Sequence, residues 1–212
     1  MKNLSFKNLH FNRRIFMTQN SDKDHVVING IRPILLSAPH GVSQVRLGKY
    51  KAKEIGSVTT ALYLAKLNDT YLIAKTQNNN DDANWDENSK YKNTIIDLIN
   101  NKKIKYLIDI HGLSSKRKED INLGIHLGKN IENNVDAFNN LQNLLNNNGF
   151  LVSIDQPFMA GRRTISGGMK YDFNKLWTIQ IEINCAITNK KENFEKYKKL
   201  LMVLSTWLES LQ

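Results

Sequence analysis

Two apolar runs, Pro33-Ile-Leu-Leu-Ser-Ala-Pro-His40-Gly41 and Ile104-Lys-Tyr-Leu-Ile-Asp-Ile-His111-Gly112, both stop at the dipeptide His-Gly. Short, nearly continuous apolar runs mark core strands of a sheet covered by helices on both faces. Both histidines then stand at the carboxyl ends of such strands, where open α/β sheets place their ligands. One buried histidine is ordinary, whereas two imidazoles delivered to one sheet edge can share a metal ion.

The rest of the chain supports an α/β architecture. The first 30 residues are polar, with β-prone pieces at 14–18 and 25–28 that predict a hairpin-like entry. After a core strand at 34–37, a 3.6-residue period through Ile55, Val58, Thr59, Leu62 and Ala65 predicts a helix over 49–67, then a strand over 71–74. Residues 76–86 are too polar for either and read as a loop. Helices follow at 91–101, at 131–147 with Gly149 as a left-handed cap, and at about 192–211. Strands are expected at 106–110, 121–127, 150–154 and 176–183, with a charged loop at 115–120. Neither an internal repeat nor a linker interrupts this alternation. It predicts one domain over residues 1–212, a three-layer sandwich whose mixed, mostly parallel sheet carries helices on both faces.

The net charge of +10 raises the question of nucleic acid, but 23 of the 30 basic residues are lysines scattered through an Asn- and Ile-rich chain. Without a basic helix, zinc finger or aromatic RNA-binding signature, the charge reads as a solvated surface and no nucleic-acid partner is expected. A basic nucleic-acid-binding module is the alternative outside the enzymes, and a steep fall of binding with salt is its mark. Cys185 is the only cysteine, which excludes an intramolecular disulfide and a thiolate zinc site. It has no surrounding motif for a cysteine amidase and reads as a small buried hydrophobe. No signal-peptide pattern opens the chain and no run is long enough to span a bilayer, so the expectation is a cytoplasmic protein without a membrane partner.

Alternation along the strand ending at His111 puts Asp109 on the side of the histidine, beside a metal ligand or in a turn. In Trp177-Thr-Ile-Gln-Ile-Glu-Ile-Asn184 the isoleucines form one face and Thr178, Gln180, Glu182 and Asn184 the other. That pattern alone fits a sheet with one face in water. The company of two His-Gly strand ends favours Glu182 as a general base for amide hydrolysis. A catalytic zinc takes a third ligand, and Glu54, at the start of the helix after the first His-Gly, competes for that role with a plain helix N-terminal position.

Together Ser37-Ala-Pro-His-Gly41, Lys53-Glu54-Ile-Gly-Ser57, Asp81-Asp-Ala-Asn84, Leu107-Ile-Asp-Ile-His-Gly112 and Gln180-Ile-Glu-Ile-Asn184 resemble the N-formylglutamate amidohydrolase family, from about residue 33 to 184. The resemblance implies a zinc-carboxypeptidase-like, phosphorylase/hydrolase-type fold with one zinc ion held by His40, Glu54 and His111. It implies Glu182 as the base that activates water, and Asn84 with Arg162 or Arg163 as the grip on a substrate carboxylate. The implied substrate is a small anionic acyl-amino acid, N-formyl-L-glutamate in the first instance. A metallopeptidase-like action on γ-glutamyl or cell-wall peptides is the alternative among hydrolases.

Overall fold

The computed structural model describes residues 4–211. Helix α1 (Phe6–Gln19) leads into β1 (His25–Ile28) and β2 (Arg32–Ala38), and a small hairpin, β3 (Gln44–Arg46) and β4 (Lys49–Lys51), precedes α2 (Ile55–Asn68) and β5 (Thr70–Lys75). Next come α3 (Lys90–Lys102), β6 (Tyr106–Leu113), β7 (Ile121–Gly124), α4 (Val135–Asn147) and β8 (Val152–Ile154). Then follow α5 (Ile165–Asp172), β9 (Trp177–Asn184), a short α6 (Cys185–Asn189) and α7 (Phe194–Ser210).

Seven strands form one sheet in the order β1-β5-β2-β6-β9-β7-β8. Its centre, β5-β2-β6-β9, is parallel, while β1 runs antiparallel to β5 and β7 antiparallel to β9. Strand alternation sorts side chains onto two faces. Ile34, Leu36, Ile108, Ile110, Ile179 and Ile181 join Val58 and Ala61 of α2, Leu141 of α4, and Tyr197, Leu204 and Trp207 of α7 in the larger core. Leu35, Ile73 and Leu107 face the other way, against Tyr91 and Ile95 of α3 and Ile165 and Met169 of α5. Each fully buried large aliphatic contributes about 1.5–3 kcal/mol, which fixes the register of both layers. On the second face the apolar lining stops short of the strand ends, where Asp109, His111, Gln180 and Glu182 are buried instead.

The three-layer α/β sandwich read from the sequence is the architecture found. Several boundaries differ. Residues 14–18 belong to α1, not to a strand. Ser5 caps that helix by accepting from Asn8 N (3.1 Å), and Leu9, Phe16 and Met17, spaced i, i+7, i+8, pack on the larger core. With 14–18 helical, β1 has no hairpin partner before it and pairs with β5. The helix expected from residue 49 starts at Ile55, because Leu47 and Gly48 both adopt positive φ and turn residues 44–51 into the β3–β4 hairpin. Strand β7 ends at Gly124 because three successive backbone N–H groups, of Ile125, His126 and Leu127, donate to the Asp155 carboxylate. Helix α4 starts at Val135, behind the cap Asn134 that accepts from Ala137 N. Helix α5 was not expected. Its glycines hide it, yet Gly167 is required, since a Cβ there would lie 2.3 Å from the Gly161 carbonyl oxygen.

Candidate metal centre

The chain leaves β2 through α2, on the face of the larger core, to reach β5. It then leaves β5 through α3, on the opposite face, to reach β6 on the other side of β2. The two crossovers diverge, and a crevice opens at the carboxyl ends of β2 and β6. His40 lies two residues beyond β2, and His111 lies near the end of β6.

Glu54 joins them. Its backbone N–H donates to the His40 carbonyl (2.9 Å), and its carboxylate turns inward instead of capping α2. Glu54 Oε1 is 2.8 Å from His40 Nδ1, and Oε2 is 3.5 Å from His111 Nδ1 and accepts from Gly112 N (2.8 Å). A Cβ on Gly112 would sit 3.2 Å from the Glu54 side chain, so the glycine after the second histidine admits that carboxylate. The glycine after the first has a packing reason too: a Cβ on Gly41 would lie 2.5 Å from the Lys75 carbonyl oxygen.

A carboxylate anchors the far side of each imidazole. His40 Nε2 lies 3.0 Å from Asp82 Oδ1, and His111 Nε2 lies 2.9 Å from Asp109 Oδ2. Ionised carboxylates only accept, so each Nε2 carries a proton, and a ring in its neutral form then turns its Nδ1 lone pair to the centre. The two Nδ1 atoms are 3.1 Å apart and share the Glu54 carboxylate. Three such atoms repel one another unless protons or a metal ion join them. Donor atoms of His40, Glu54 and His111 all fall within 4.8 Å of one another, and two imidazole nitrogens plus one carboxylate match the ligand set of an open catalytic zinc site. The residues therefore fit a divalent ion. The same field governs the protons. Burial disfavours charge on His40 and His111, yet the surrounding carboxylates outweigh it and raise both imidazoles above the usual histidine range. Burial would raise Glu54, but the two histidines hold it well below the usual carboxylate range. Asp82 is also held low, where His40 and Arg46 outweigh its burial.

Glu182 pairs in register with His111 across β6 and β9. The polar face of β9 does not meet solvent: Glu182 is 5 % exposed and accepts from Gln180 Nε2 at 2.9 Å. Burial, opposed by the nearby His111, pushes the Glu182 carboxyl up to about 7. Such a group can gain or lose a proton near neutrality. Cys185 adjoins the same acids, and burial together with Glu54 and Glu182 pushes its thiol up to about 11, so it is not an activated nucleophile.

His40, Glu54, His111, Gln180 and Glu182 line a cavity of about 310 Å³ whose rim carries Arg46, Lys51, Asn84, Trp85 and residues 157–161. Asn84 is a wall residue whose Oδ1 accepts from Ile165 N at 2.7 Å, tying the loop to the start of α5. Arg162 and Arg163 are not in this wall and line a neighbouring cavity. The arginine of the first cavity is Arg46, whose Nε donates to Asp82 Oδ2 at 2.6 Å. Arg46 and Asp82 were missed in the sequence. Asp82 lies within the quoted Asp-Asp-Ala-Asn block, whereas no motif announces Arg46.

The fold is shared with solved structures of several amide-cleaving hydrolases. N-formylglutamate amidohydrolase, the family that the sequence motifs resemble, is among the solved structures that share it. The enzyme of that name from Ralstonia eutropha superposes with a TM-score of 0.58 at 10 % identity, over 88 % of this chain and 97 % of that one. A bacteriophage poly-gamma-glutamate hydrolase gives 0.55 at 13 % identity, over 87 % of each chain. A metallo-carboxypeptidase from Pseudomonas aeruginosa gives 0.54 at 10 % identity, over 95 % of this chain and 69 % of that one. By sequence, no protein-family model and no curated protein matches the chain. Among the described residues no helix is long and apolar enough to cross a membrane.

Proposed function

We propose that this chain is a metal-dependent hydrolase of amide bonds in small anionic acyl-amino acids, acting in the cytoplasm, with N-formyl-L-glutamate as the simplest substrate. The observation that carries the reading is the convergence of His40 Nδ1, His111 Nδ1 and the Glu54 carboxylate beside a buried Glu182. His40, Glu54 and His111 would hold the ion, with Asp82 and Asp109 fixing the tautomers of its two imidazole ligands. A divalent ion, zinc by this donor set, supplies Lewis acidity that polarises an amide carbonyl and makes water easier to deprotonate. Glu182 removes a proton from the attacking water and delivers it to the departing amine nitrogen, so that the amide C–N bond breaks to give acid and amine. Its carboxyl near 7 suits both halves of that exchange. Arg46 and Lys51 at the rim supply the positive potential that draws in an anionic substrate.

Turnover of N-formyl-L-glutamate, followed by release of formate and glutamate, tests the reading. Activity should vanish with a chelator and return with a divalent ion. Glu182→Gln should keep its metal and its fold while losing turnover by about 10²-fold or more. Wild-type turnover in that variant would remove Glu182 from the chemistry.

A further inference from the structure

The cavity beside the candidate centre is the larger of the two, about 670 Å³ against about 310 Å³. Thr164 lines both. Trp85 stands in the wall of the smaller one, and two guanidinium groups rest against its ring: Arg46 at 4.8 Å, from the smaller cavity, and Arg163 at 5.2 Å, from the larger. Arg162, also in the larger cavity, stacks on Tyr171 at 3.6 Å. A guanidinium stacked on a ring is held in orientation while its N–H groups still point outward in its own plane, ready for a carboxylate. None of these donors is used up. Arg46 commits only Nε, to Asp82, and among the described residues neither Arg162 nor Arg163 pairs with a carboxylate, although Glu87 and Asp172 stand in the same wall. The loop that bears them is anchored: the buried Lys92 Nζ donates to the Arg163 carbonyl at 3.1 Å, and Thr164 caps α5 by accepting from Gly167 N.

We infer that the larger cavity is a second carboxylate subsite, which extends the substrate from a single acyl-amino acid to an acidic chain of several linked units. One carboxylate meets Arg46 beside the scissile amide, and the next meets Arg163 and Arg162 beyond Trp85. This inference rests on the proposed amide chemistry for what happens at the scissile bond, but not for binding. A cavity of about 310 Å³ lies at the lower end of the range for small-ligand sites, and the two together accommodate an extended ligand.

Calorimetric binding of glutamate oligomers of one to four units, α-linked in one series and γ-linked in another, tests the inference on metal-loaded Glu182→Gln protein, which cannot consume them. Affinity should rise about tenfold or more from one unit to three in at least one series, as expected for each added bidentate carboxylate contact. The series with the steeper rise identifies the linkage. Adding Arg163→Ala should flatten the rise, while Arg163→Lys restores part of it. Uncharged glutamine oligomers should show no rise. Equal affinity for one unit and three in both series, a rise with glutamine as steep as with glutamate, or an equal loss at every length on Arg163→Ala would each overturn the inference. The length profile of kcat/KM on the wild-type protein is the parallel readout should Glu182→Gln not fold. Length-dependent binding without hydrolysis of any member would instead retain the subsite and reject the amide chemistry.

Discussion

Glu182→Gln should stabilise the metal-free protein at alkaline pH while it abolishes turnover. An ordinary glutamate has a pKa near 4.5, and burial pushes Glu182 up to about 7 in the fold. Between those values the folded state holds a proton that the unfolded chain has released, so stability falls as pH rises through that window. The fall is complete above the folded pKa and amounts to about 3.5 kcal/mol at most, since each unit is worth about 1.4 kcal/mol. Relaxation around the ionised group makes about 1–3 kcal/mol a realistic expectation. Glutamine keeps the oxygen that accepts from Gln180 Nε2 but never ionises. Urea unfolding in the presence of a chelator should therefore give equal midpoints for wild type and variant near pH 4.5, with the variant ahead by about 1–3 kcal/mol at pH 8. In a chain of 212 residues this corresponds to a melting shift of roughly 3–10 °C. A variant no more stable than wild type at pH 8 would mean that Glu182 is solvated, and the reasoning from burial would fail.

Three further outcomes follow from the same geometry. Glu54→Ala should weaken metal binding by at least about tenfold in a competitive titration, because a three-donor site becomes a two-donor one; an unchanged titration would make Glu54 merely a helix-terminal residue. Asp109→Asn should cost roughly 10–100-fold in metal affinity with little change in fold, since an amide N–H facing His111 Nε2 forces the ring proton onto Nδ1; wild-type affinity would show that the carboxylate does not set the tautomer. Gly41→Ala should destabilise the protein by about 2 kcal/mol in chemical unfolding, as its Cβ would meet the Lys75 carbonyl oxygen, and a neutral effect would show slack in that contact.

Much of the centre was legible because it lies on regular strands. The alternation of β9 separated Gln180 and Glu182 from three isoleucines, and the His-Gly strand ends placed both imidazoles. What alternation could not tell was whether the polar face met water or a cavity, since that depends on α5 and residues 157–161 covering it. The role of Asp82 was hidden for a related reason. Its polar loop is held by a buried lysine, Lys75, whose Nζ pairs with Asp81 at 2.7 Å and with Asp24 at 2.6 Å, and the second of these pairs, across 51 residues of sequence, leaves no local pattern. Arg46 escaped notice because it rides on a three-residue strand whose turn is signalled only by Gly48.

Elemental analysis of purified wild-type protein and of His111→Ala, each with a thermal melt to verify folding, tests the central claim most directly. Wild type should carry close to one divalent ion per chain, and the folded variant should carry almost none, because removing one imidazole leaves His40 and Glu54 alone around the ion. Full occupancy in folded His111→Ala, or a metal-free wild type whose amide turnover is untouched by chelation, would contradict the account.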